Sequence, residues 1–168
     1  MSFVDSTKNW LNELAKRSFQ DLNSTEDLGF SLVGENMDYV RFNRSLVRQS
    51  TQVEQLVLEC TFQAKGCSIA YKISLTGKVE EDWKTVQSLI SRAREETQVA
   101  PQNPFLVPMQ NHGSSHEEFS GNPLRAEDVI PVICEATSQV DMAGFYAGGD
   151  MIRAHQNSKG QKHWFSTK

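Results

Sequence analysis

The chain has 168 residues, of which 38% are hydrophobic and 23% are charged, a composition that predicts one folded domain and no second independent core. Its formal charge of −4, from 17 basic and 21 acidic residues, argues against direct binding of nucleic acid, which normally needs a basic surface. The N-terminus is polar from Asp5 onward and no apolar run approaches the ~20 residues of a membrane span, so we expect no signal peptide, no membrane contact and a cytoplasmic protein.

The first predicted element is a helix followed by strands. Asp5, Ser6 or Thr7 can cap this helix, and its apolar residues share one stripe. From Leu28 to Thr76 the residues are rich in β-branched and aromatic types in near-alternation, which predicts a meander of three or four strands with a turn at 64–66. The residues of the helical stripe are Trp10, Leu11, Leu14, Ala15, Phe19 and Leu22.

Residues 78–97 return to a helical period. Their apolar positions repeat at steps of four and three, and acidic residues occupy the first turn, where the helix dipole favours them. We expect this helix to pack across one face of the sheet. Its apolar stripe consists of Val79, Trp83, Val86, Ile90 and Ala93.

Residues 99–123 contain four of the five prolines and predict a long Pro-rich loop. A short helix is expected next, starting near Asp128, because Pro131 lacks an amide proton and fits a first turn. The last segment predicts strands punctuated by turns, with Ala-Gly-Gly at 147–149 interrupting the first. A hairpin turn at 157–160 places His155 opposite His163.

These elements predict an α+β domain. Its sheet is mixed or mainly antiparallel, is built from two β-meanders, and carries two or three packed helices.

The stretch Gln-Asn-His-Gly-Ser-Ser-His-Glu-Glu-Phe at 110–119 holds the residue types of a hydrolytic zinc site. His112 and His116 are four apart and Glu117 follows, but the residues between the histidines are poor helix formers. Ser120 stands where an HExxH motif would need its second histidine. His112, His116 and Glu117 are therefore weak metal candidates within a solvated loop, and a small metallohydrolase built on them is the least favoured hypothesis.

No other motif predicts chemistry. The glycine-rich stretch at 144–150 lacks the spacing of a phosphate loop. The three cysteines, Cys60, Cys67 and Cys134, form no CxxC pair and are expected to be buried free thiols. We predict no catalytic residue and no cofactor site in this chain.

Two stretches carry a resemblance to a known family. Residues 37–52, Met-Asp-Tyr-Val-Arg-Phe-Asn-Arg-Ser-Leu-Val-Arg-Gln-Ser-Thr-Gln, are followed by a long strand, a turn at Gly66 and a long helix. Residues 144–168 run a strand into an Asn-Ser-x-Gly turn formed by Asn157, Ser158, Lys159 and Gly160. In element order most of the chain resembles the N-terminal domain of the TldD/PmbA family, which is related to zinc metallopeptidases and was once described as modulators of DNA gyrase.

The resemblance implies proteolysis by a larger assembly. It implies an HExxxH zinc site beyond this domain, pairing with a related subunit or with itself as a dimer, and unfolded or extended peptides as substrates. This chain contains no HExxxH, so the hypothesis is a non-catalytic N-terminal domain of a longer protein that contributes to the peptide cavity and the subunit interface. Strand addition of peptides to the sheet region Leu46–Leu75 is the expected binding mode. The alternative is a self-contained interaction or oligomerisation module without protease activity.

Overall fold

The computed structural model describes residues 2–124 and 126–167. None of the helices in these ranges combines the length and apolar character needed to cross a membrane. The elements of the described chain, in order, are α1 Phe3–Gln20, β1 Asp27–Asn43, β2 Leu46–Ala64, β3 Cys67–Leu75, α2 Val79–Val99, β4 Ser115–Phe119, α3 Ala126–Ala136, β5 Gly144–Asn157 and β6 Lys162–Thr167.

The strands form one six-stranded sheet in the order β3-β2-β1-β5-β6-β4. Every neighbouring pair is antiparallel except β4 and β6, which run parallel. The predicted α+β class is therefore confirmed. The first predicted meander is β1–β2–β3, and the second is a two-stranded hairpin, β5–β6, which joins the first by pairing β5 with β1.

The helices pack on one face of this sheet, because β1 alternates along its length. Its residues Leu28, Phe30 and Leu32 are buried in the main core with side chains from α1 and α2. Further along the same strand, Val40 and Phe42 form a smaller cluster with Val129 of α3. The prediction that the 78–97 helix covers one face is confirmed, and the stripe predicted for α1 is buried or partly buried in the same core.

Two predicted helix starts are wrong by a few residues. Helix α1 is capped by Ser2, whose Oγ accepts a hydrogen bond from the Asp5 amide at 3.1 Å, so the cap lies before the predicted residues. The earlier start brings Phe3 and Val4 against the core. Helix α3 begins at Ala126, not near Asp128, so Pro131 lies in its second turn.

Two predictions of irregular backbone are also corrected. The 99–123 loop contains β4, whose five residues pair in parallel with β6; local sequence gave no sign of this because the partner is distant in the chain. Residues 147–149 do not interrupt a strand, since β5 continues through them in register with β1. A Cβ on Gly149 would lie 2.2 Å from the Asn36 carbonyl oxygen, so glycine here permits close approach of two strands.

The predicted hairpin turn is confirmed. The Gly160 amide donates to the Asn157 carbonyl at 3.0 Å, and His155 is the direct cross-strand partner of His163.

Candidate functional site

The second face of the sheet carries no helix among the described residues, and we call it the open face. The odd-numbered residues of β1 point to it, opposite the core residues of the same strand. Across the strands, Ser31 lies between Glu59 and His155, and His155 is followed by His163 and Ser115. The open face therefore presents side chains from several strands, and it contains two concave regions.

The first region, the histidine groove, has a volume of about 370 Å³ and lies over β1, β5, β6 and β4. The rings of His155 and His163 stand side by side, with centroids 6.4 Å apart. Burial lowers the pKa of His155, and the neighbouring His163 adds to the effect. The other side chains at this groove include Ser31, Val33, Ser115, Glu117, Arg153 and Phe165.

A chain of hydrogen bonds determines which ring nitrogen of His163 carries the proton. The Asn157 Oδ1 accepts from the backbone amides of Lys159 and Gln161, so its Nδ2 donates to the Gln161 Oε1. The Gln161 amide nitrogen then donates to His163 Nε2 at 2.9 Å. His163 consequently carries its proton on Nδ1 and donates it to Ser115 Oγ at 2.8 Å.

This arrangement determines what the groove can do. A serine nucleophile needs a histidine nitrogen that accepts its proton, and here that nitrogen is a donor. Ser31 Oγ lies 3.1 Å from the Nδ1 of His155 in a similar cross-strand contact. The histidines thus join strands β1, β5, β6 and β4 to one another, and Asn157 and Gln161 at the hairpin turn orient His163.

The predicted weak metal candidates do not converge. His116 and Glu117 are consecutive on β4, so their side chains point to opposite faces of the sheet. His116 Nε2 lies 2.9 Å from Glu118, which also binds Lys8 of α1, whereas Glu117 borders the histidine groove. His112 is exposed in the preceding loop.

No group of three potential ligands from histidine, cysteine, aspartate and glutamate comes together in residues 2–124 and 126–167. Of the predicted buried thiols, Cys60 and Cys67 are buried and Cys134 is partly buried, and all three are free. Burial raises the pKa of Cys60 to about 12, which keeps this thiol protonated and unreactive.

The second region, the ribbon groove, has a volume of about 780 Å³ and lies where β1, β2 and β5 extend beyond the core. Tyr39 and Phe145 stack across two strands with centroids 6.2 Å apart, and Phe145 remains 71% exposed. The hydrogen bond to Glu35 raises the pKa of Tyr39, whose hydroxyl lies 2.8 Å from that carboxylate. The remaining lining includes Arg41, Gln49, Thr51 and Val53.

These ribbon residues were not predicted as a site. The available signal was alternation in Asp-Tyr-Val-Arg-Phe-Asn at 38–43, where Val40 and Phe42 share one face and Tyr39 and Arg41 the other. With Phe42 and Val40 buried, Tyr39 and Arg41 lie on the open face, where Tyr39 is half-buried and Arg41 is exposed.

Comparisons with known proteins identify the fold. No family model matches the sequence, and no curated protein matches it. Among solved structures, TldE from Thermococcus kodakarensis aligns over 94% of this chain with a TM-score of 0.64 at 10% sequence identity. TM0727 from Thermotoga maritima, described as a proposed modulator of a DNA gyrase, aligns over 95% with a TM-score of 0.58 at 13% identity.

The aligned part is only 37% of each of those two chains, so this chain spans little more than a third of their length. The resemblance predicted from residues 37–52 and 144–168 is confirmed at the level of the fold: the chain has a TldD/PmbA-like fold.

Proposed function

We propose that this chain is a non-catalytic domain of a TldD/PmbA-like peptidase assembly, and that its open face contributes a wall to a cavity for unfolded or extended peptides. The observation that carries the proposal is the ribbon groove, a concave surface lined by aromatic and polar side chains of β1, β2 and β5. The fold shared with TldE and TM0727 supports the assignment to this class of protein.

The ribbon groove has the chemistry that an unfolded peptide requires. The stacked rings of Tyr39 and Phe145 offer apolar area that is fixed before binding, so little side-chain entropy is lost. Gln49 and Thr51 supply amide and hydroxyl groups that can bind peptide carbonyls and amides of any sequence. Binding of this kind recognises the extended shape of a peptide and depends little on its sequence.

Zinc, which the fold family implies, does not fit the residues described here. The weak candidates His116 and Glu117 point to opposite faces, and neither belongs to a group of three potential ligands in the described chain. We propose that the zinc of an active assembly is bound by polypeptide outside this chain.

The proposal is tested by fluorescence anisotropy with a labelled, unstructured peptide. Phe145→Ser removes one ring of the stacked pair and is expected to weaken binding by roughly tenfold, as interface aromatics often do. Phe105→Ser is the matched control, because Phe105 is 87% exposed in the 99–123 loop and does not line the ribbon groove.

Loss of binding in the Phe145 variant alone supports a peptide-binding wall. Equal loss in both variants, or no measurable binding by the unsubstituted chain, contradicts it.

A further inference from the structure

The sheet exposes strand edges that differ in how well they could accept another strand. Strand β4 carries adjacent carboxylates, Glu117 and Glu118, in only five residues. The Leu46–Gln55 part of β2, which β3 does not reach, has a register irregularity near its start, opposite Arg41 and Phe42. Charges and bulges are the devices that keep strand edges from pairing.

The outer edge of β3 lacks most of these devices. Its nine residues, Cys67–Leu75, pair with β2 without any register shift and include no proline or glycine. Its only charged residue is Lys72, which lies directly opposite Glu59 on β2, where the two charges attract. No other strand pairs with its outer edge in the described chain. A regular, nearly neutral edge of this length is suited to main-chain pairing with another strand.

The sequence of this edge is nearly the same read in either direction from Tyr71. Ser68 and Ser74 stand three residues on either side, and Ile69 and Ile73 stand two residues on either side. The positions one and four residues from Tyr71 differ, since Ala70 is matched by Lys72 and Cys67 by Leu75. An antiparallel pair of identical strands, related by a two-fold axis through Tyr71, would therefore place serine opposite serine and isoleucine opposite isoleucine.

Charge fits the same pairing. About this axis Lys72 of one copy lies opposite Ala70 of the other, so the two lysines do not face each other directly. Ile69, Tyr71 and Ile73 are only partly buried against the core, and a second copy would cover part of their remaining surface.

We propose that the outer edge of β3 pairs antiparallel with the same edge of a second copy of this chain, about a two-fold axis through Tyr71. Such an axis is perpendicular to the sheet, so the open faces of both copies lie on the same side and the helices on the other. The proposal rests on the proposed function as a domain of an assembly and adds a contact between two copies of this chain, but its test uses no peptide.

Sedimentation equilibrium of the 168-residue chain and two variants at one exposed position tests the pairing. Ala70→Glu places a carboxylate opposite Lys72 of the second copy, twice by symmetry, and is expected to lower the dimer Kd about fivefold. Ala70→Lys places like charges opposite each other and is expected to raise the Kd by a similar factor. The control pair Gln52→Glu and Gln52→Lys, on the exposed part of β2, should leave the Kd unchanged.

Disulfide trapping tests the register independently. Residues directly opposite in an antiparallel pair have Cα atoms about 5 Å apart, which a disulfide can bridge. A mixture of Ala70→Cys and Lys72→Cys chains should therefore cross-link across the mixture, whereas each variant alone places its cysteines about 8 Å apart and should cross-link poorly.

Opposite shifts of the Kd together with heterodimer cross-linking support the inference. It is overturned if the chain stays monomeric at near-millimolar concentration, if both Ala70 variants shift the Kd in the same direction, or if the Gln52 variants move it instead. A monomer that still binds peptide through Phe145 would reject this pairing and leave the proposed function standing.

Discussion

At the scale of single residues, a charged cluster holds α2 against the segment between α1 and β1. Arg94 donates to Glu26 through both Nε and Nη2, and to the Asp21 carbonyl at 2.6 Å. Burial by itself raises the pKa of Glu26, but the hydrogen bonds from Arg94 and Asn23 outweigh it and bring this pKa to about 2. The cluster is a pH-dependent contribution to stability.

Because the pKa of Glu26 is depressed in the folded state, its contribution is fully present above the ordinary value of 4.5 and is lost as pH falls towards 2. Glu26→Gln is expected to lower the free energy of unfolding by about 1–3 kcal/mol at pH 7, because charge-assisted hydrogen bonds to Arg94 are lost. Urea unfolding across this pH range should show the variant and the unsubstituted protein converging near pH 2.

The control is Glu95→Gln, at an exposed position of α2, which should change stability by less than about 0.5 kcal/mol at pH 7. A constant difference between the Glu26 variant and the unsubstituted protein from pH 7 to pH 2 would show that the cluster does not act through ionisation.

The role of a residue could be predicted where it depends on the spacing of apolar residues in one helix or on pairing within one hairpin. The stripe of α1 and the facing of His155 and His163 followed from spacing alone. The hydrogen-bond chain from Asn157 to Ser115 did not, because it crosses between a turn and a strand that are 42 residues apart in sequence and requires the parallel β4–β6 pair. The cap of α1 at Ser2 is different, because its signal is local: the Ser2 Oγ accepts from the Asp5 amide three residues further along the chain.

At the scale of elements, the length of β5 depends on Gly149. This residue adopts a φ of +144° and lies where any Cβ would overlap the backbone of β1 at Asn36 and Met37. The ribbon groove includes Phe145 at the start of β5, so its shape depends on β5 continuing past this point.

Gly149→Ala is expected to destabilise the protein by about 3 kcal/mol, from backbone strain together with displacement of β1. Gly113→Ala is the matched control, because Gly113 also has a positive φ, +103°, but nothing lies within 4 Å of an added Cβ. Its cost should be about 1 kcal/mol, from backbone strain alone. Urea midpoints of the two variants measure the difference; equal losses would contradict a close approach of β5 to β1.

Element prediction succeeded where one segment carried its own signal. Helix α2 has an uninterrupted apolar stripe and was placed to within two residues. Because glycine is common in turns, Ala-Gly-Gly at 147–149 predicts an interruption, and the packing role of Gly149 is visible only with β1 beside it. Strand β4 lacks any alternation of apolar residues, so its pairing with β6 has no local cause that a sequence could reveal.

At the scale of the whole molecule, the fold is a sheet with a layer of helices on one face. All three described helices pack on one face of the sheet, and the other face keeps its two grooves accessible. The histidine groove is cross-linked by oriented hydrogen bonds, whereas the ribbon groove presents a stacked ring pair, of which Phe145 is exposed, with no covering element in the described chain. This division of the open face is why we propose the ribbon groove, and not the histidine groove, as the place where peptide binds.

Hydrogen–deuterium exchange read by mass spectrometry, with and without a saturating unstructured peptide, tests this account most directly. The peptide should slow amide exchange in residues 37–53 and 144–150 and leave the hairpin around 155–163 unchanged, and the same spectra should show the peptide intact. Slowed exchange confined to 112–118 and 155–163, or peptide fragments produced by the purified chain, would contradict a non-catalytic wall that binds peptide through its ribbon.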